Sequence, residues 1–182
     1  ARLQHGQVIL DLDLFAVDDD LGPDLATIRR RHDATAHVLK GVAANLDLAF
    51  LVSGLDHDLN PRRIERYLLL AMEGGVTPIV VLNKVDIALD LSGAVSEVHA
   101  VAAGTRVVVS SALTGVGLDE LRGHLRAGLT ACLLGSSGVG KSSLANALLG
   151  EERQVVRALR EDDSRGRHTT SHRELFHLPG GG

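Results

Sequence analysis

Apolar and acidic residues alternate along Val8-Ile9-Leu10-Asp11-Leu12-Asp13-Leu14-Phe15. After Ile9 this two-residue period marks a strand with one face toward solvent. Asp18-Asp19-Asp20-Leu21-Gly22-Pro23 then reads as a turn, because Asp, Gly and Pro each favour chain reversal. From about Asn45 the pattern changes. Leu46 to Val52 is a mostly apolar run of strand length. Asn60-Pro61 opens a helix, with Asn as cap and Pro at the first helical position. Ile64, Tyr67, Leu68 and Ala71 recur at helical spacing, and Gly74-Gly75 stops them. Pro78-Ile79-Val80-Val81-Leu82 is a second buried strand. A helix over Leu91–Ala103 ends at Gly104, and Val107-Val108-Val109 forms a third strand. Gly117 opens a helix over Leu118–Leu129, Leu129–Leu134 is a fourth strand, and a Gly-rich turn leads to the helix Lys141–Leu149. This alternation predicts an α/β fold, a parallel sheet with helices on both faces. Such sheets bind ligands at the carboxyl ends of their strands, and each motif below follows a predicted strand.

Composition narrows the class. The 182 residues suit one domain, or one with a small appendage, and 45% hydrophobic with 23% charged residues excludes disorder as the main state. No apolar run approaches the ~18–20 residues of a membrane helix, and Ala1-Arg2-Leu3-Gln4-His5-Gly6-Gln7 lacks a signal-peptide core. One cysteine excludes a disulfide framework or a Cys-rich zinc site and suits a reducing cytosol. A net charge of −4 with 2% aromatics gives no general pull on nucleic acid. An RNA contact would need a local patch. Arg29-Arg30-Arg31 is either that or a solvated surface.

Gly135-Ser136-Ser137-Gly138-Val139-Gly140-Lys141-Ser142 fits G-x-x-x-x-G-K-[ST]. A backbone that wraps a polyphosphate must turn its N–H groups inward, and glycine permits those dihedrals and the close approach. The helix starting at Lys141 aims its positive dipole end at the same charge. Lys141 is placed to reach the β- and γ-phosphates, and the Ser142 hydroxyl to ligate Mg²⁺. The plainer reading is a linker between strand and helix. Cys132, mid-strand, reads as a small buried hydrophobe.

Asn83-Lys84-Val85-Asp86 closes the strand Ile79–Leu82. Guanine offers two adjacent donors, N1–H and the exocyclic amine, and one carboxylate accepts both. Adenine has an acceptor at the first position and would leave Asp86 partly unpaired. The Lys84 stem can cover the base, and Asn83 can tie this loop to the phosphate loop. The competing reading is a helix cap. Ser110-Ser111-Ala112 closes the next strand and can offer the Ala112 N–H to guanine O6, or be an ordinary turn.

Guanine-nucleotide proteins usually run phosphate loop first, then base reader and Ser-Ala loop. Here the last two come first, so the order is circularly permuted, which nearby surface termini allow. The chain resembles the ribosome biogenesis GTPase RsgA family, the circularly permuted, small-subunit-dependent GTPases. The likeness covers about Ala43–Gly182. It rests on Ala43-Ala44-Asn45-Leu46-Asp47, Ile64-Glu65-Arg66-Tyr67-Leu68, Asn83–Asp86, Gly138-Val139-Gly140-Lys141-Ser142-Ser143-Leu144 and Gly166-Arg167-His168-Thr169-Thr170. The last of these resembles the family's switch I.

The resemblance implies a P-loop GTPase domain over 41–182, an rRNA-contacting OB-fold of which 1–40 would be a remnant, and a C-terminal zinc-binding domain. It implies GTP/GDP and Mg²⁺ as ligands, and the small (30S) ribosomal subunit with its rRNA as partner in late maturation. It further implies a bacterial cytoplasmic monomer without membrane association. Forty residues are too few for the five-stranded OB barrel. The family's Asp-x-Pro-Gly switch II and the zinc domain are expected beyond Leu178-Pro179-Gly180-Gly181-Gly182, so the stretch reads as a truncated form. Two motif positions depart from the family. Ser171 stands where a third Thr is usual, and Ser136 where Gln or Pro is often found.

By the same resemblance, Thr169 or Thr170 is the second protein ligand of Mg²⁺, and His168 helps to position the attacking water. A histidine titrates near neutrality and suits that role. The alternative is a surface histidine in a loop carrying Arg160, Arg165 and Arg167. Glu151–Ser171, charged and Gly-interrupted, is expected to order only on the γ-phosphate. GTP hydrolysis is the expected activity, and guanine-nucleotide binding without turnover in this truncated form is the alternative.

Overall fold

Asn60 and Pro61 open a helix as their order predicts. The Asn60 side chain accepts the Arg63 amide at 3.1 Å, and helix α1 runs Pro61–Glu73. In the computed structural model, residues 7–12, 46–102, 104–126, 128–150 and 174–177 are described. In chain order they form β1 (Gln7–Leu12), β2 (Leu48–Gly54), α1, β3 (Thr77–Asn83), α2 (Leu91–Val101), β4 (Arg106–Val109), α3 (Leu118–His124), β5 (Thr130–Leu134), α4 (Lys141–Leu149) and β6 (Glu174–His177). A short 3₁₀ turn covers Val85–Ile87.

Among the described residues the strands make one sheet in the order β4-β3-β2-β5-β1-β6. β4, β3, β2, β5 and β1 are parallel neighbours, and β6 pairs antiparallel with β1. β2 and β5 are buried along their whole length, which is why both read as mostly apolar runs. Alternate residues feed two cores. Phe50, Val52, Val81 and Leu133 pack with α3 and α4 through Leu121, Leu144 and Leu148. Leu51, Val80, Leu82 and Leu134 pack with α1 and α2 through Ile64, Leu68 and Val98. Helices on both faces follow, as the alternation predicts.

Two expectations need correction. The helix over Leu118–Leu129 ends at His124, because Leu125 leaves the helical region (φ −89, ψ 72) and turns into the core at 6% exposure. Gly128 at φ +84 then reverses the chain into β5. Gln7–Leu12, expected in a barrel remnant separate from the GTPase domain, instead hydrogen-bonds into this sheet between β5 and β6. A strand paired on both edges satisfies its backbone there. The rest of 1–40, including Arg29–Arg31, lies outside the described residues.

The chain runs from β2 through β3 to β4 on one side of the sheet, then returns to place β5 on the other side of β2. β2 and β5 thus flank the point where strand order reverses. Ligand crevices form at the carboxyl ends there.

Candidate functional site: a two-ended nucleotide cleft

The phosphate loop leaves β5 at a point of close backbone approach. A Cβ on Gly135 would stand 2.3 Å from the Val52 carbonyl oxygen of β2. Gly138 and Gly140 hold φ of +83 and +95, the left-handed region that lets successive amides face one concavity. α4 starts at Lys141 with no side-chain cap at its N-terminus, so its first amides remain available to an anion. Lys141 is 6% exposed, and its Nζ donates to the carbonyls of Gly135 at 2.7 Å and Ser136 at 3.0 Å. The ammonium therefore sits inside the loop it would serve. Ser137 is exposed, and Ser142 and Ser143 are half-buried in the first turn of α4.

The end expected to read the base is built from the loops after β3 and β4. Asn83 is 1% exposed and links three segments. Its Nδ2 donates to the Val139 carbonyl at 2.9 Å, while its Oδ1 accepts from the Ala112 amide at 3.2 Å and the Ser110 hydroxyl at 3.4 Å. The amide of Val85 donates to the Ser110 carbonyl at 3.1 Å, and the Ser111 hydroxyl donates to Asp86 Oδ1 at 2.5 Å. Asp86 is itself exposed. The Ala112 N–H, expected to meet guanine O6, is engaged by Asn83 in this state. A base would have to share or replace that bond. Lys84 is the described non-glycine residue with positive φ, at +68, a strained conformation of the kind found at ligand clamps.

The two ends meet. Gly140 shows how closely: a Cβ there would come within 2.4 Å of Asn83 Nδ2. Residues far apart along the chain are thus fastened side by side at one edge of the sheet.

Sequence reasoning missed a third element, the loop between β2 and α1. Asp56 pairs with Lys84 Nζ at 2.5 Å, and Asp58 accepts from Arg63 at 2.7 Å and from the Ser136 hydroxyl at 2.7 Å. No spacing rule signals these contacts, which span 28 and 78 positions. Partial burial pushes the Asp56 carboxyl up. The Lys84 ammonium and the backbone amides of Asp58 and Asp56 more than reverse this, leaving it below 3.8. Burial pushes the Cys132 thiol up to about 12, which leaves it a buried, unreactive group.

Mg²⁺ prefers oxygen ligands, few of them from protein when phosphates supply the rest. The donor set here fits that preference. Ser142 offers a hydroxyl oxygen in the first turn of α4, directly after the glycine-rich loop. His168, Thr169 and Thr170 lie outside the described residues, as does Glu151–Ser171.

The RsgA GTPase family pattern matches residues 25–182. Small ribosomal subunit biogenesis GTPase RsgA of Syntrophotalea carbinolica is 52% identical over 140 residues, covering 77% of this chain and 38% of that protein. The same-named protein of Opitutus terrae is 47% identical over 159 residues, covering 87% of this chain and 43% of its own length. A crystal structure of YjeQ from Thermotoga maritima is 32% identical, with a TM-score of 0.49 over 57% of this chain and 38% of that one. The chain spans about two fifths of the length of the curated relatives it matches. The cleft and this match along most of the sequence lead to one assignment: the chain belongs to the RsgA GTPase family.

Proposed function

We propose that residues 41–182, with Gln7–Leu12 built into their sheet, form a domain that binds guanine nucleotides and hydrolyses GTP, acting in the cytoplasm on the small ribosomal subunit and its rRNA during late maturation. The observation that carries this reading is the Asn83–Val139 bond, which joins a base-reading loop to a phosphate loop at one sheet edge. Asp86 accepts the two adjacent donors of guanine, and Lys84 lays its stem along the base. The glycine cradle and the α4 N-terminus hold the phosphates, while Lys141 exchanges its loop carbonyls for the β- and γ-oxygens. Ser142 would hold Mg²⁺, which when bound would supply positive charge to offset that developing on the transferred phosphoryl group. His168 positions water, and Thr169 or Thr170 completes the metal's protein ligands. The relatives matched over most of this chain are named as small-subunit biogenesis GTPases, which supports the 30S partner.

Competition binding with a labelled GDP, followed by single-turnover hydrolysis with and without 30S subunits, tests this. GTP and GDP should displace the label while ATP does not, and Asp86→Asn should lose much of the affinity for GTP. Displacement by ATP as effective as by GTP would overturn the guanine assignment. Binding without turnover, 30S present, would reduce the protein to a guanine-nucleotide-binding module.

A further inference from the structure

The loop after β2 stands where the strand order reverses, and its two carboxylates reach opposite ends of the cleft. Asp56 takes the Lys84 ammonium at the base end. Its backbone neighbour Leu55 also donates to the Asn83 carbonyl at 2.8 Å. At the phosphate end, Asp58 Oδ2 accepts from the Ser136 hydroxyl at 2.7 Å and Oδ1 from Arg63 at 2.7 Å. Arg63 also donates to Ser136 Oγ at 2.8 Å. One guanidinium nitrogen, Nη1, makes both contacts with its two N–H bonds, serving carboxylate and hydroxyl together. Gly54 leaves room for the Asp56 carboxylate in this position, since a Cβ there would lie 2.5 Å from Asp56 Oδ1. That oxygen further accepts the Asp58 amide at 3.1 Å, which fixes the two carboxylates relative to each other.

We propose that the 54–60 loop is a brace that sets the spacing between the base reader and the phosphate loop before nucleotide arrives. Asp56 is a positioning residue acting through Lys84, and Asp58 one acting through Ser136. This rests on the guanine-nucleotide reading above and deepens it. A free lysine loses much of its rotamer freedom when its stem is laid on a ligand. Pinning Nζ in the empty protein removes part of that loss from the binding step. The Asp58–Ser136–Arg63 contact does the same for the start of the glycine cradle.

The test compares GDP with inosine diphosphate, which lacks the exocyclic amine, on the full chain. Asp56→Asn should weaken both by the same factor, about fivefold, as expected for a part-exposed pair, because the Lys84 stem touches a surface the two bases share. The deficit should shrink as salt rises, since screening weakens the wild-type pair too, and Asp56→Glu should recover most of it. Asp86→Asn should weaken GDP more than inosine diphosphate, because only guanine presents the amine. Asp58→Asn and Ser136→Ala should each weaken GDP, and their combination should be no weaker than Asp58→Asn alone. Should Asp56→Asn fail to fold, Lys84→Met keeps an unbranched stem without the ammonium and should show the same equal loss.

Wild-type GDP affinity in Asp56→Asn, unequal losses for the two nucleotides, or additive Asp58 and Ser136 effects would overturn the brace while leaving the guanine reading intact. A wild-type protein that binds neither nucleotide would overturn both.

Discussion

Truncating Asn83 to Ala removes a side chain that ties the loop after β3 to the Ser110-Ser111-Ala112 loop and to the glycine-rich loop. The orientation of its amide is set by its partners. Nδ2 must face the Val139 carbonyl and Oδ1 the Ala112 N–H, because the reverse would oppose like groups at 2.9 and 3.2 Å. The site is 1% exposed, so water does not readily replace what is lost. Leaving a buried polar group without a partner costs about 1–3 kcal/mol. The Val139 carbonyl of a fully buried residue loses its partner outright, while the half-buried Ala112 N–H can turn partly to water, which puts Asn83→Ala at about 1–4 kcal/mol of stability. Equilibrium urea unfolding by circular dichroism reads this as a lower midpoint at unchanged slope. Asn83→Asp is the sharper control, since it keeps the volume and the Oδ1 acceptor but turns an oxygen toward Val139 O. It should destabilise at least as much as Ala. GDP affinity should fall in both, as the two halves of the cleft lose their link. A loss within about 0.5 kcal/mol, the range of ordinary surface substitutions, or a stable Asn83→Asp, would refute the linking role.

Cys132 should resist iodoacetamide at pH 8 in the native protein and label only in urea, because its thiol is buried and pushed up to about 12; equal labelling in both states would remove it from β5. Gly117→Ala should lower the melting temperature more than Gly128→Ala. Both hold positive φ (+74 and +84), but a Cβ at 117 would meet the Val109 carbonyl at 2.2 Å while none lies within 4 Å at 128. Gly128→Ala then carries only the backbone cost of about 1–2 kcal/mol, and equal losses would contradict the packing at Gly117. Asp56 sets a pH dependence whose sign follows from its lowered value. Its contribution is present above 3.8 and fades as pH falls through the lower folded value. Thermal stability should therefore show no Asp56-linked change between pH 5 and 8, and an acid limb below pH 4 that Asp56→Asn reduces.

Much of the cleft was legible because its requirements are local. A glycine-rich turn between an apolar strand and a helix, ending in Lys141-Ser142, states its geometry in eight consecutive residues. Asn83–Asp86 does so in four. The strand–helix alternation likewise fixed the layers, since β2 and β5 are buried on both faces and read as mostly apolar runs. Even the permuted order cost nothing in recognition. Each motif keeps its own strand, and the sheet restores their proximity.

What sequence could not supply was pairing across distance. Asp56 and Asp58 carry no recognisable signal until the fold sets them against Lys84 and Ser136, 28 and 78 positions away. The end of α3 at His124 was settled by the pull of Leu125 into the core, not by helical propensity around it. Gln7–Leu12 carries a strand's alternation, yet nothing in that pattern names its neighbour. Backbone hydrogen bonds to β5 and β6 chose it. Local dihedral and periodicity constraints are written in adjacent residues and so are read from the chain. Partner choice depends on which surfaces burial brings together, and that exists only once the sheet has closed.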